Sequence, residues 1–115
     1  MMPRNDTIEM GELTDTSYYI LLSLVEPKHG YLIMNSIESM TNNRLSIGPA
    51  SMYTTIRKLL SAELIELFDD GDEKRKTYVS TVKGIKLLKK EIQRRREMVA
   101  HAEEVFKQKG MDTNA

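Results

Sequence analysis

The sequence predicts a mainly α, α+β domain that ends in one long helix. Three observations predict it. Apolar residues recur at spacings of three and four over three separate stretches, two short runs rich in β-formers flank a loop containing Asp70-Gly71, and one unbroken helical pattern occupies residues 81–109. The chain has 115 residues, 40% of them apolar, enough for one compact core. It contains no cysteine, which excludes thiolate zinc sites, cysteine nucleophiles and disulfide scaffolds and suits a reducing compartment. The longest apolar run, residues 18–25, is broken by Ser23 and is too short to span a bilayer. The polar start Met1-Met2-Pro3-Arg4-Asn5-Asp6 leads into no signal-peptide core, so a cytoplasmic location with no membrane partner is expected.

Taken in order, Tyr18, Leu21, Leu22 and Val25 place a first helix over residues 14–25, with Thr14 or Asp15 as N-cap and Pro27 as its end. After the break at Lys28-His29-Gly30, the series Tyr31, Ile33, Met34, Ile37 and Met40 gives a second helix that stops in Thr41-Asn42-Asn43. Leu45-Ser46-Ile47 alternates as a short strand. Gly48-Pro49 then opens a third helix over 49–61, since Pro at the first helical position gives up no needed N–H. Its inward stripe is Met52, Ile56, Leu59 and Leu60, which leaves Ser51, Thr54, Thr55, Arg57 and Lys58 towards solvent. Residues 64–68 and 77–80 read as two strands of a hairpin.

The last helix, residues 81–109, spans roughly 40 Å at 1.5 Å per residue, too long to pack wholly on the body that precedes it. Ile85, Leu88, Ile92, Arg95, Val99, Ala102 and Phe106 step alternately by three and four, the spacing of a coiled-coil seam that asks for a partner chain. Arg95 is its one polar member, expected at the seam's edge or paired with Glu91 or Glu97 of the partner. Met98 and Val105 form a second apolar edge, expected to pack on the first helix. Tyr31 and Tyr78 are expected as half-buried anchors, and Met34, Met40, Met52 and Met98 as adaptable core residues, with Met98 the one to watch. His29 and His101 are the only histidines and have no acidic motif at ligand spacing, so no metal site and no cofactor are expected; His29 reads as a helix cap. There is no Gly-x-Ser-x-Gly, no His-Glu-x-x-His and no phosphate loop, which argues against an enzyme.

Formal charge is balanced, with 17 Lys plus Arg against 17 Asp plus Glu, but unevenly distributed. Residues 1–43 carry a balance of −4, residues 44–80 a balance of zero and residues 81–115 a balance of +4. A nucleic-acid partner then depends on whether basic groups collect on one face.

The order helix, helix, short strand, helix, strand, loop, strand, long helix is that of a winged helix-turn-helix, here residues 12–80, with a dimerisation helix attached at 81–109. His29-Gly30-Tyr31, the block Gly48-Pro49-Ala50-Ser51-Met52-Tyr53-Thr54-Thr55-Ile56-Arg57-Lys58-Leu59-Leu60, then Leu64-Ile65-Glu66, and Tyr78-Val79-Ser80-Thr81 with Gly84 resemble the PadR-like family of bacterial transcriptional regulators. The resemblance spans residues 14–106. It implies a homodimeric repressor on a palindromic double-stranded operator, with the third helix in the major groove and the last helices forming the dimer contact at Ile85, Leu88, Ile92, Val99, Ala102 and Phe106. Carried over residue by residue, the DNA surface is Ser51, Tyr53, Thr54, Thr55, Arg57 and Lys58. It also implies a small aromatic or planar effector between the first and last helices, lined here by Tyr18, Tyr19, Met98, Val99 and Ala102. Two positions depart from the pattern: Met52 stands where the family favours Leu, and Glu63 where it favours Gly. Because Glu is strained in the left-handed conformation that Gly adopts freely, the bend after the third helix is expected to be built differently.

Within this surface Arg57 has the fork that matches guanine O6 and N7, while Lys58, Thr54, Thr55 and the helix N-terminus suit phosphates. Lys74, Arg75 and Lys76 are placed to meet the flanking duplex, and Asp69, Asp70, Asp72 and Glu73 form an acidic tip, so that either the tip points away from the duplex or the wing contributes little. Two rival readings start from the same fold. One is a winged-helix DNA-binding protein with no regulatory role. The other is a protein-interaction adaptor using the long helix, favoured by the neutral net charge and the acidic loop.

Overall fold

The computed structural model describes residues 12–69, 71 and 74–114; residues 1–11 and the acidic positions Asp70, Asp72 and Glu73 lie outside the described residues. The elements are α1 (Asp15–Ser23), β1 (Lys28–His29), α2 (Gly30–Met40), α3 (Pro49–Ser61), β2 (Ile65–Phe68), β3 (Thr77–Ser80) and α4 (Val82–Gln108). Thr14 caps α1, its Oγ1 accepting the Ser17 N–H at 3.1 Å. The carbonyls at the other end of α1 are taken up by neighbouring strands: Ser80 donates its N–H to Leu24 O (2.7 Å) and its hydroxyl to Leu21 O (2.9 Å), and Lys28 Nζ donates to Ser23 O (2.7 Å).

The sheet has three antiparallel strands in the order β1-β3-β2, and its third strand differs from the expectation. Residues 45–47 form no strand. Instead Lys28-His29, expected as a break, pairs with β3 through Lys28↔Tyr78 and His29↔Thr77. A dipeptide held extended behind Pro27 meets the free edge of β3, whereas Ile47 packs its side chain into the core and the Leu45 N–H is taken by Thr41 Oγ1 at 3.1 Å. The hairpin β2–β3 keeps the register Ile65↔Ser80, Glu66↔Val79, Leu67↔Tyr78 and Phe68↔Thr77.

Ile20, Leu21, Ile33, Ile37, Met52, Ile56, Leu59, Leu64, Ile65, Tyr78 and Leu88 make one core, so the inward stripe of α3 lies where its periodicity puts it, with Leu60 packed at the margin. Val25, Met40 and Met98 are exposed rather than core-filling, and Tyr31 is 65% exposed rather than a half-buried anchor. Three helices close with the same motif. In α2, α3 and α4 the N–H of the second residue past the cap reaches back across the last turn: Asn43 to Glu38 O (2.7 Å), Leu64 to Leu59 O (2.9 Å) and Met111 to Phe106 O (2.9 Å). The motif needs a left-handed residue, supplied by Asn42 (φ 53°), Glu63 (φ 61°) and Gly110 (φ 71°). The bend after α3 is therefore the ordinary one. Leu59 and Leu64, both buried, close over it, and Thr81 Oγ1 donates to Glu63 O at 2.8 Å, so Glu accepts the left-handed strain in exchange for that closure.

Thr81 also caps α4, accepting the Gly84 N–H at 3.0 Å. Only glycine fits at 84. A Cβ there would overlap the Leu64 carbonyl oxygen and stand 3.0 Å from its carbon and 3.2 Å from Leu21 Cδ1. From this close approach α4 runs across the body with Leu88 buried and Ile92 packed on the core, and every residue from 96 to 108 is exposed.

Candidate nucleic-acid interface

The side of α3 opposite Met52, Ile56 and Leu59 carries Ser51, Tyr53, Thr54, Arg57 and Lys58, all exposed, with Thr55 partly so. These are the positions left outward once the apolar stripe is buried. Arg57 Nη2 donates to Thr54 Oγ1 at 3.3 Å, and the Thr55 hydroxyl donates to Ser51 O at 2.9 Å, so that proton is used within the helix. Gly48 caps α3 with no side-chain bond, and Pro49 follows, which leaves the amide end of the helix without a side-chain acceptor from its cap.

Tyr53 connects this helix to the wing. Its phenol lies over Gly30, where a Cβ would overlap Tyr53 Oη and stand 3.0 Å from Met52 Cε. Beside it opens a cleft of about 360 Å³ lined by His29, Gly30, Tyr31, Tyr53, Lys74, Arg75, Lys76 and Tyr78. Three phenols and three cations thus share one concavity between the start of α2, the flank of α3 and the returning strand of the hairpin. Tyr78 is its floor. Burial, and secondarily the neighbouring Tyr53 phenol, push the Tyr78 phenol above its ordinary value.

The structure brings Tyr53, Lys74, Arg75 and Lys76 into one cleft and sets Ser51, Thr54, Arg57 and Lys58 on the adjoining helix face. It adds His29 and Tyr31, which the sequence marks as a helix cap and a half-buried anchor and as part of the His29-Gly30-Tyr31 triplet. His29 occupies the N-cap position of α2 but forms no side-chain capping bond. Tyr31 is best explained by the cleft it lines, and its place beside Gly30 in the triplet is the available signal.

The predicted dimer positions divide along α4, with Ile85 partly buried near its start. Leu88 is 4% exposed within its own chain and Ile92 packs against the same core, whereas Val99, Ala102 and Phe106 lie on the projecting part of α4. Met98 and Val105, expected to pack on α1, are exposed too, because α4 meets Leu13 and the first turn of α1 earlier along its length, through Glu91 and Arg95. Of the residues expected around an effector, Tyr18 and Tyr19 meet edge to face at 5.4 Å, and the ring of Tyr18 carries the Arg95 guanidinium at 4.4 Å. Met98 Sδ accepts from Arg94 Nη1 at 3.1 Å.

Three helices, a small antiparallel sheet with its hairpin beside an exposed polar helix face, and a long C-terminal helix define a winged helix-turn-helix protein of the kind that regulates transcription. The chain belongs to the PadR-like family of transcriptional regulators, whose sequence pattern it matches over residues 20–90. No curated protein matches it by sequence. Among solved structures, a transcriptional regulator from Clostridium thermocellum is similar at 24% identity and a TM-score of 0.67, over 88% of this chain and 95% of that one. A PadR family transcriptional regulator from Eggerthella lenta is similar at 22% identity and a TM-score of 0.68, over 98% of this chain and the whole of the other. A third, a cysteine-to-serine mutant of Lactococcus lactis ZitR in complex with DNA, is similar at 21% identity and a TM-score of 0.58, over 84% of this chain and 62% of that one.

Proposed function

We propose that the protein is a cytoplasmic, homodimeric transcriptional regulator that binds a palindromic operator and represses transcription until a small planar effector releases it. The observation that carries this reading is the continuity of one surface. The outward face of α3, with Ser51, Thr54, Arg57 and Lys58, runs into the cleft where Tyr53 meets Lys74, Arg75 and Lys76. A duplex laid along α3 would present base edges to Arg57, while its phosphates meet Lys58, the amide end of the helix and the basic returning strand. A solved complex of a similar fold with DNA supports DNA as the partner. Dimerisation is assigned to the projecting part of α4, where Val99, Ala102 and Phe106 are solvent-exposed in the single chain. The effector is assigned to the same end, against Tyr18, Tyr19, Met98, Val99 and Ala102.

The test is binding of the purified protein to its own upstream DNA and to a scrambled duplex over a salt series. Specific binding at two protomers per site, weakening steeply with salt, is expected. Equal binding to both duplexes with little salt dependence would refute the reading and favour an adaptor. Arg57→Ala should relax preference at one base pair per half-site, a discrimination of about 1–3 kcal/mol. A uniform loss on every sequence would make Arg57 a phosphate ligand instead.

A further inference from the structure

The Glu91 carboxylate is fully buried, yet nothing in the DNA-facing surface uses it. It accepts the Leu13 N–H at 2.8 Å, and Arg94 reaches both its oxygens, Nε to Oε1 at 2.6 Å and Nη2 to Oε2 at 3.1 Å. One residue on, Arg95 lies with its Nε 3.7 Å from Glu91 Oε2. Its Nη1 donates to Asp15 Oδ1 at 3.0 Å, its Nη2 donates to Leu13 O at 2.9 Å, and its plane covers the Tyr18 ring. Two charged residues of α4 therefore grip both backbone polar groups of Leu13 and the first turn of α1. A buried ion pair is a poor way to gain stability, because desolvation offsets most of its attraction. It is a good way to fix an angle, since planar guanidinium bonds tolerate little rotation.

The position of the grip gives that angle a consequence. Among the described residues Arg95 is the last of α4 to bond to the body, and all the residues from 96 to 108 are exposed. We infer that the Glu91–Arg95 grip on Leu13, Asp15 and Tyr18 is a positioning device that sets the orientation of each DNA-reading body on its long helix, and with it the spacing between the two recognition helices. This rests on the dimer reading above. A rotation of about 10° at the grip, acting over the roughly 20 Å of α4 beyond it, displaces the far end of that helix relative to the reading head by about 3.4 Å, about one base-pair step. Spacing selectivity is thus sensitive to bonds that never approach the duplex.

The test uses the full chain and a half-site obtained by in vitro selection from random duplexes. Wild type, Glu91→Gln, Arg95→Lys and Asp15→Asn are compared on duplexes carrying two half-sites at separations varied one base pair at a time, with mass by light scattering alongside. Arg95→Lys keeps the charge but loses the fork, and Asp15→Asn alters an exposed carboxylate, so a folded variant remains to be read if Glu91→Gln fails to fold. The wild type is expected to show one optimum. The variants are expected to remain dimeric while the optimum shifts or the ratio between the best spacing and one two base pairs away falls at least about fivefold. Variants that keep the optimum and ratio, with affinity lowered equally at all spacings, would show that the grip is only structural. A variant that is monomeric where wild type is dimeric would also overturn the inference, because it would put the grip inside the dimer seam. A monomeric wild type, or one indifferent to spacing, overturns the dimer reading and the positioning role with it.

Discussion

Gly84→Ala tests the packing that launches α4, and its sign is set by a contest between two effects. In an unobstructed helix the change is favourable by about 1 kcal/mol, because Ala loses less backbone freedom than Gly. Here the new Cβ meets backbone, not a movable side-chain tip: the Leu64 carbonyl oxygen overlaps it and the carbonyl carbon is 3.0 Å away. Relief requires moving either α4 or the Leu64 peptide. That residue is held on both sides, its carbonyl accepting the Thr81 N–H at 3.0 Å and its own N–H closing α3 onto Leu59 O at 2.9 Å. Overpacking of a tight site costs about 1–3 kcal/mol, and a weakened buried hydrogen bond adds about 1 kcal/mol. The net loss is about 1–3 kcal/mol, or a fall in Tm of about 4–12 °C for a chain of this size. Urea and thermal denaturation followed by circular dichroism would measure it, with the midpoint moving and the urea slope unchanged. A variant as stable as wild type, or more stable, would show that the close approach of α4 to Leu64 is not the constraint it is taken to be.

Three further outcomes are expected. Glu63→Gly removes a Cβ from a residue at φ 61° and should stabilise the chain by about 0.5–1 kcal/mol, the left-handed strain exceeding the added freedom of the unfolded chain; a lower Tm would refute this. The Glu91 carboxyl is held below its ordinary range chiefly by its Arg94 hydrogen bonds, with burial opposing and the Leu13 N–H and the charges of Arg94 and Arg95 assisting. Its contribution to stability is therefore complete above the unfolded value of about 4.3 and is lost as pH falls through the lowered folded value. The stability gap between wild type and Glu91→Gln should be constant near neutrality and close in acid; a gap that stays the same down to about pH 2 would refute the assignment. Val99→Asp, on the exposed part of α4, should give monomers by light scattering and lose operator binding, and a dimer of unchanged mass would refute the seam.

Periodicity makes much of this fold legible. The inward stripe of α3 and its outward complement follow from a pattern that any helix must obey, so Met52, Ile56 and Leu59 bury where their spacing puts them and Ser51, Thr54, Arg57 and Lys58 emerge opposite. What is not legible depends on partners distant in sequence. A two-residue strand such as β1 has no period of its own, and only the edge of β3 makes it one. Glu63 argues locally against a left-handed bend, but Leu59 and Leu64 closing into the core decide the matter. The stripe on α4 reads as a single seam because intramolecular and intermolecular packing call for the same spacing. In the structure it divides near Arg95, with Leu88 and Ile92 turned to the chain's own core and the later positions exposed. Spacing alone sets Arg95 at the seam's edge or beside Glu91 or Glu97 of a partner, yet its partners include Asp15 and Leu13, at the opposite end of the described chain.

A zero net charge does not exclude a locally basic face, because the charges are spread unevenly over the fold. Part of the chain's acidic complement is committed within the fold: Glu91 is buried against Leu13 and Arg94, Asp15 binds Arg95, and Glu38 accepts the Ser46 hydroxyl at 2.9 Å. These carboxylates lie on α1, α2 and α4, whereas Arg57 and Lys58 on α3 and Lys74, Arg75 and Lys76 on the wing project from exposed positions at and beside one cleft. At an ionic strength of about 0.15 M a charge is screened beyond about 8 Å, so a phosphate arriving at α3 responds to those nearby cations far more than to the carboxylates bound up elsewhere in the body. The neutral total, which gives the adaptor reading part of its support, therefore weighs less than local geometry. The salt series decides between them, because only a surface that neutralises several phosphates at once produces a steep dependence on salt.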